Sequence, residues 1–297
     1  SRLKLGVIGL SDGNGHPYSW SAIFNGYNRK LMENCGFPVI PEYLQKQKFP
    51  DVLIKNTKVT HVWTQDKDLS LKIANTCYID NVVDDLSHMP EQVDAVLLAR
   101  DDADNHLEMS KPFLRAGIPI FIDKPLALNI HDANMMLSLQ KFKGQIFSCS
   151  ALRFSHQLLL SAAQKSALGR IISIDGSTPN SWDKYAVHLI EPILNMIPKP
   201  HKIIKFSRSS EGYIRRLNVS YENSSNVQIS AFGKVDIPIK IRLAGQRSNL
   251  EMVFTDTFQA FRTTLQEFVH SVRNRSVSIH QNDMLEVVKL IEMGRSF

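Results

Sequence analysis

Near-continuous apolar runs at Leu3–Gly9, Lys58–Thr64, Asp94–Ala99 and Pro119–Ile122 mark the first third of the chain. Strands buried on both faces read this way, because neither face is left for polar residues. Between the runs, apolar positions fall at helical spacing around Ser19–Arg29, Leu69–Thr76 and His106–Ala116. Gly117 follows the last of these, where a left-handed helix cap is usual. Strands alternating with helices predict βαβ units and a parallel sheet.

After Pro125 the pattern changes. It predicts a helix at about Ile130–Gln140, a strand at Gln145–Cys149, a helix near Gln157–Lys165 and a strand at Arg170–Asp175. From Lys202 to Val253 several strands follow in succession. Their turns are expected at Ser209-Ser210-Glu211-Gly212, Glu222-Asn223-Ser224-Ser225 and Gly245-Gln246. Strands without intervening helices predict a largely antiparallel sheet with one open face. Two amphipathic stretches, Phe258–Val272 and Asp283–Met293, predict closing helices. The expected class is therefore α/β, with a Rossmann-type parallel-sheet domain over residues 1–125. An α+β domain with a large, mostly antiparallel open sheet is expected over 126–297, joined without a flexible linker. The Pro- and Lys-rich stretch Asn34–Asn56 is longer than an ordinary connection. It reads as a lid over a cofactor or a partner surface, partly mobile until a cofactor binds.

A length of 297 residues suits two domains, and 43% hydrophobic with 22% charged residues is a globular composition. No apolar run approaches the roughly 18 residues of a membrane-spanning helix, so no membrane partner is expected. The start runs directly into a strand pattern, without the features of a secretory signal. Cys35, Cys77 and Cys149 are odd in number and far apart, which suits a reducing cytoplasm. A cytoplasmic protein is expected. No His, Cys, Asp or Glu cluster has metal-ligand spacing, so no metal is expected either.

The formal charge of +6 is unevenly spread. Residues 1–125 carry 14 Lys and Arg against 16 Asp and Glu, and the remainder carries 21 against 13. The excess is scattered, with no tight cluster or aromatic platform, so nucleic acid is not expected as a partner. A solvated basic surface is the plain reading. The sharper one is a field favouring an anionic small-molecule substrate.

Candidate chemistry begins at Leu5-Gly6-Val7-Ile8-Gly9-Leu10-Ser11-Asp12-Gly13-Asn14-Gly15-His16, a strand followed by a glycine-rich turn. A dinucleotide fold needs such a turn, since backbone and helix N-terminus must approach a pyrophosphate closely. The match to G-x-G-x-x-G is imperfect: Gly9 is in register, Ser11 stands second, and the later glycines fall at Gly13 and Gly15. At the end of the next strand, Thr64 holds the position where an acidic residue would bind the ribose of NAD. Asp66 lies two residues on, and Lys67 could meet a 2′-phosphate. NAD and NADP both stay open, with a lean to NAD because no arginine ends this strand.

The stretch Phe121-Ile122-Asp123-Lys124-Pro125-Leu126-Ala127 resembles the Glu-Lys-Pro signature of the glucose–fructose oxidoreductase, inositol dehydrogenase and rhizopine catabolism family, with Asp123 for Glu. Its surroundings are similar to that family's too: Asn105-His106, Ala116-Gly117-Ile118-Pro119, Leu152-Arg153-Phe154 and Leu168-Gly169-Arg170-Ile171. The resemblance implies a nicotinamide-dependent oxidoreductase. Lys124 would bond the substrate's reacting hydroxyl, with Asp123 and Pro125 beside the cofactor. His188 matches the family's catalytic histidine, and Glu191 the acidic residue three positions later. Lys184 stands in the place of the family's aspartate, with Asp183 one residue earlier.

Spacings of three and four put Lys184, His188 and Glu191 on one helical face. A histidine there titrates near working pH and can take a hydroxyl proton. A second cation beside Lys124 would favour that lysine's neutral form; alternatively Lys184, with Arg153 and Asp183 near it, would bind an anionic substrate group. The expected activity is hydride transfer between nicotinamide and a sugar, sugar phosphate or nucleotide sugar. The rivals are a dinucleotide-binding sensor of the same fold and a reductase of a non-sugar ketone or imine. The resemblance also implies a homodimer or homotetramer.

Overall fold

The structure, a computed structural model, describes residues 1–223 and 225–295. Ser224, part of one expected turn, lies outside the described residues. The chain divides into two compact units.

The first unit comprises residues 1–127, 131–149 and 261–284. Its sheet holds β1 (Leu3–Ile8), β2 (Thr57–Trp63), β3 (Asn81–Val82), β4 (Ala95–Leu98), β5 (Ile120–Ile122) and β6 (Ile146–Phe147). All pairs are parallel, in the order β3-β2-β1-β4-β5-β6. Every residue of β4 and β5 is buried, as the continuous apolar runs require. The strand order reverses between β1 and β4, and such a switch point leaves a crevice at the carboxyl ends of the strands. The helices of this part of the chain are α1 (His16–Asn25), α2 (Arg29–Glu33), α3 (Val39–Gln45), α4 (Lys67–Thr76), α5 (His106–Arg115) and α6 (Ile130–Ser138). Gly117 has φ +72°, which suits the cap expected after α5.

The stretch 34–56 is not the extended segment its prolines suggest. It contains α3, whose Ile40 and Leu44 are buried. Tyr43 hydrogen-bonds Ser19 of α1. Phe37, Ile40 and Leu44 recur at spacings of three and four, so they form an apolar stripe that Pro38 and Pro41 disguise in the sequence.

The second unit comprises residues 128–130, 150–260 and, of those described, 285–295. It contains α7 (Ala162–Leu168), β7 (Ile171–Thr178), α8 (Trp182–Tyr185) and α9 (Val187–Met196). Then come β8 (Ile203–Glu211), β9 (Ile214–Tyr221), β10 (Asn226–Ala231), β11 (Lys240–Gly245) and β12 (Asn249–Val253). Ser161 opens α7 with a reciprocal capping box to Gln164. The sheet order is β12-β11-β7-β10-β9-β8, antiparallel except for the parallel pair β7–β10. One face is covered by α9: a Cβ on Gly176 of β7 would lie 3.1 Å from Leu189 and 3.2 Å from Ile193. Ile174, Leu217, Val219, Val227, Ile229 and Leu243 form the core beneath it. The alternate positions, among them Asp175, Arg216, Gln228 and Arg242, are polar. This alternation is what an antiparallel sheet with one solvated face requires.

Two long helices, α10 (Thr257–Asn274) and α11 (Gln281–Arg295), close the described chain. Packing does not follow the cut expected at residue 125. Strand β6 pairs with β5, and Phe268 of α10 lies 5.7 Å from Phe121 and 5.4 Å from Phe147, ring centre to ring centre. Residues far along the chain therefore complete the core of the first unit. In the second unit, Trp182 donates its Nε1–H to the carbonyl of Ile291 at 2.9 Å. Among the described residues no helix is long and apolar enough to cross a membrane.

Candidate functional site

The crevice of the first unit is built on the turn 9–15. Gly9 and Gly15 are required by close packing. A Cβ on Gly9 would lie 2.4 Å from Pro17, and one on Gly15 would lie 2.5 Å from Ile40 of α3. Gly13 is different: its φ is +74°, and a Cβ there would meet nothing within 4 Å. The middle of the turn is open, ahead of the N-terminus of the ten-residue α1.

The polar residues of the turn are tied to the ends of other strands. Buried Ser11 donates to Asp101 Oδ1 at 2.8 Å and accepts the Asp101 N–H at 3.1 Å. Asn14 donates from Nδ2 to Asp123 Oδ2 at 2.9 Å, while its Oδ1 accepts the His16 N–H. His16 Nδ1 is 2.6 Å from the same Asp123 oxygen. The other oxygen of Asp123 accepts the Lys124 N–H at 2.9 Å. Burial pushes the Asp123 carboxyl up, but the charge and hydrogen bond of His16, the charge of Lys124 and the Asn14 amide outweigh it. The carboxyl is held down at about 2.

Lys124 follows β5 and is 5% exposed, too little for a lysine that merely reaches into solvent. Its Nζ is 3.8 Å from Asp101 Oδ2, in a pair whose side chains are 6% and 10% exposed. Pro125 fixes the chain immediately beyond.

At the end of β2 the structure departs from expectation. Thr64 is buried, and its Oγ1 bonds the Asp66 carbonyl at 2.5 Å and Ser70 Oγ at 2.7 Å. Its hydroxyl is engaged inside the β2–α4 corner and is not presented to the crevice. The side chain that reaches the turn is Gln65, whose Oε1 accepts the Leu10 N–H and whose Nε2 donates to the Leu10 carbonyl. An arginine does reach this strand end, from β4. Arg100 donates to Gln65 Oε1 at 2.8 Å and to the Gly9 carbonyl at 3.1 Å, and clamps Asp102 through two bonds of 3.0 and 2.6 Å. Gln65, Arg100, Asp101, Asn14 and His16 were all missed by motif reading. The signal available for Arg100 to Asp102 was topological, since they follow a strand beside the switch point.

The second unit holds another cluster. His188, on α9, places Nδ1 2.6 Å from Ser150 Oγ. The Tyr185 and His188 rings meet in a T-shaped contact, with centroids 5.0 Å apart. Ser150 N–H donates to Glu191 Oε1 at 3.4 Å, and Glu191 Oε2 lies 3.3 Å from Arg153 Nη1. Glu191 is 4% exposed, so this pair positions neighbouring groups. The structure thus brings Ser150 and Arg153, which no spacing in the sequence announces, to His188 and Glu191. Asp183 is engaged elsewhere, accepting from Arg295 Nε at 2.9 Å. Lys184 is half-buried on α8. Among the described residues, no group of three or more His, Cys, Asp or Glu could hold a metal ion.

Residues 36–150 match the Gfo/Idh/MocA family model, described as an oxidoreductase family with an NAD-binding Rossmann fold. The match includes Asp123-Lys124-Pro125 and begins past the glycine turn. The chain is 32% identical over 77 residues to "Putative oxidoreductase YceM" of Salmonella typhimurium, an alignment covering 26% of this chain and about a quarter (24%) of that relative. Among solved structures, myo-inositol dehydrogenase from Lactobacillus casei in complex with NAD(H) and myo-inositol aligns with TM-score 0.74 over 99% of this chain and 94% of that one, at 14% identity. Scyllo-inositol dehydrogenase from Lactobacillus casei with bound NAD(H) and scyllo-inositol aligns with TM-score 0.69 over 99% and 96%, also at 14% identity. At such identity the likeness is one of fold.

Proposed function

Because residues 36–150 match the Gfo/Idh/MocA oxidoreductase family model with its NAD-binding Rossmann fold, we propose that the chain is an oxidoreductase of that kind, acting on the CH–OH group, or the corresponding carbonyl, of a sugar, sugar phosphate or nucleotide sugar. The observation that carries this reading is Lys124, a buried lysine paired with Asp101 in the same crevice as the glycine turn.

The turn suits a dinucleotide. Gly13 leaves open space ahead of a helix N-terminus, where backbone N–H groups and the helix dipole favour a diphosphate. Gly9, Ser11, Gly13 and Gly15 would hold it, and Asp123 would act by fixing Asn14 and His16. Gln65, in place of Thr64, would meet the adenosine ribose. Bound there, the dinucleotide supplies the nicotinamide carbon that exchanges the hydride. Lys124 Nζ would hydrogen-bond the reacting oxygen, with Asp101 keeping the ammonium oriented. His188, the second acid–base residue that the resemblance implies, would act through Nε2, since its Nδ1 is held by Ser150. Lys184, where the family pattern has an aspartate, would favour an anionic group on the substrate. The inositol dehydrogenases of similar fold support a polyol as the substrate class.

The test is a fluorescence titration with NADH and with NADPH, followed by turnover assays on polyols, sugar phosphates and nucleotide sugars. Saturable binding with turnover of one such class is the expected result. Failure of folded, cofactor-free protein to bind either dinucleotide would sink the reading. A second reading, a dinucleotide-binding sensor, is favoured by Lys184 and by the Gln65 and Arg100 bonds to residues 9 and 10. Binding without turnover of any of these substrates, ketones or imines would select it.

A further inference from the structure

Ser150 has no exposed surface, and its hydrogen bonds can be followed atom by atom. Its N–H donates to Glu191 Oε1. Its carbonyl accepts the Arg153 N–H at 3.1 Å. Its Oγ accepts the Leu152 N–H at 3.1 Å, capping the short turn Ala151–Phe154. What remains is the hydroxyl proton. A serine hydroxyl is one donor with two lone pairs, and a buried donor without an acceptor is costly. Among the described residues, the acceptor at hand is His188 Nδ1, at 2.6 Å.

An imidazole nitrogen that accepts a hydrogen bond carries no proton, so the proton of the neutral ring lies on the other nitrogen. We propose that Ser150 holds neutral His188 with its proton on Nε2, so that His188 meets the substrate's oxygen as a hydrogen-bond donor. The proposal rests on the reading above that places His188 at the substrate. Its consequence is chemical. In this state Nε2 has no lone pair with which to abstract an alcohol proton. A carbonyl oxygen, which can only accept, is the matching partner. The ligand class the resting site recognises is then the ketone or aldehyde form of the sugar. For His188 to become a base, its proton must move to Nδ1, and the Ser150 hydroxyl must then turn from its acceptor. Ser150 is a positioning residue, and Glu191 with Arg153 fixes its backbone. The arrangement differs from a catalytic histidine backed by a carboxylate, which accepts from Nδ1–H and leaves Nε2 bare.

The experiment is nuclear magnetic resonance of full-length protein labelled with 15N in its histidine rings, at a pH where His188 is neutral. Two-bond 1H–15N correlations report which ring nitrogen carries the proton. The protein has 10 histidines, and a His188→Gln variant assigns the signal of interest. The expected result is protonated Nε2 and bare Nδ1 in the wild type, a mixture of forms in Ser150→Ala, and the wild-type pattern in Ser150→Thr. Protonated Nδ1 in the wild type would overturn the proposal without recourse to any variant. So would an unchanged pattern in folded Ser150→Ala. Titrating the same wild-type sample with NADH and NADPH tests the oxidoreductase reading separately. Loss of that reading would leave the assignment of the His188 proton intact.

Discussion

Lys124 and His188 are the residues on which turnover is expected to depend. Replacing Lys124 with Ala should lower kcat by about 10²- to 10⁴-fold, the usual size of a positioned acid–base contribution. Saturable dinucleotide binding should survive. His188→Ala should act in the same direction, and steady-state kinetics beside the NADH and NADPH titrations checks both. A variant that retains full kcat would remove that residue from the chemistry. Asp123 carries a pH dependence with a definite sign. Its folded-state carboxyl is held at about 2, below the roughly 3.9 of an unperturbed aspartate. It therefore contributes stability that is present above about pH 4 and is lost as pH falls towards 2. Chemical denaturation between pH 5 and pH 2 should show a shallower acid loss for Asp123→Asn, which cannot titrate, than for the wild type. Lys124, Asp123 and His188 stand out in the sequence as candidates because their chain neighbours form short motifs. The engagement of Thr64 with Ser70 depends on how β2 meets α4 and leaves no trace in periodicity. Ser150 was invisible, since it lies 38 residues from His188.

At the scale of elements, two glycines mark contacts that a single methyl would break. Gly15→Ala should displace the Phe37 and Ile40 side chains from the turn, since the added Cβ would approach them to 2.8 and 2.5 Å. The expected outcome is weaker dinucleotide binding together with faster protease cleavage within residues 34–56. Unchanged cleavage would mean that α3 does not depend on this contact. In the second unit, a Cβ on Gly294 of α11 would fall 2.0 Å from the Trp182 ring. Gly294→Ala should cost about 1–3 kcal/mol by overpacking, read as a lower denaturation midpoint. Most strands and helices were legible because burial imposes period two or near-continuous apolarity on strands, and near 3.6 on helices; the two-residue β3 is too short to carry either pattern. Helix α3 was missed because its two prolines suggested a loop, while its short apolar stripe reports packing more than propensity.

For the whole molecule, the exposed strand β8 and the polar face of the second sheet are the surfaces to test for the oligomer that the resemblance implies. Light scattering coupled to gel filtration should give a dimer or tetramer of the 33.7 kDa chain, and a strict monomer would contradict the expectation drawn from resemblance. The sequence by itself determined the order of strands and helices, the change from parallel to mainly antiparallel pairing, and the place of the Asp123-Lys124-Pro125 motif. Those properties are local: they follow from the periodicity of side chains along one segment and from residues adjacent in the chain. Only the tertiary structure decided which polar groups meet. Ser11 finds Asp101 across 90 positions and Asn14 finds Asp123 across 109. Phe268 completes a core whose strands lie more than a hundred residues earlier. A hydrogen bond or a ring contact requires approach within a few ångströms, and that approach is set by how strands and helices pack, which no stretch of sequence records alone.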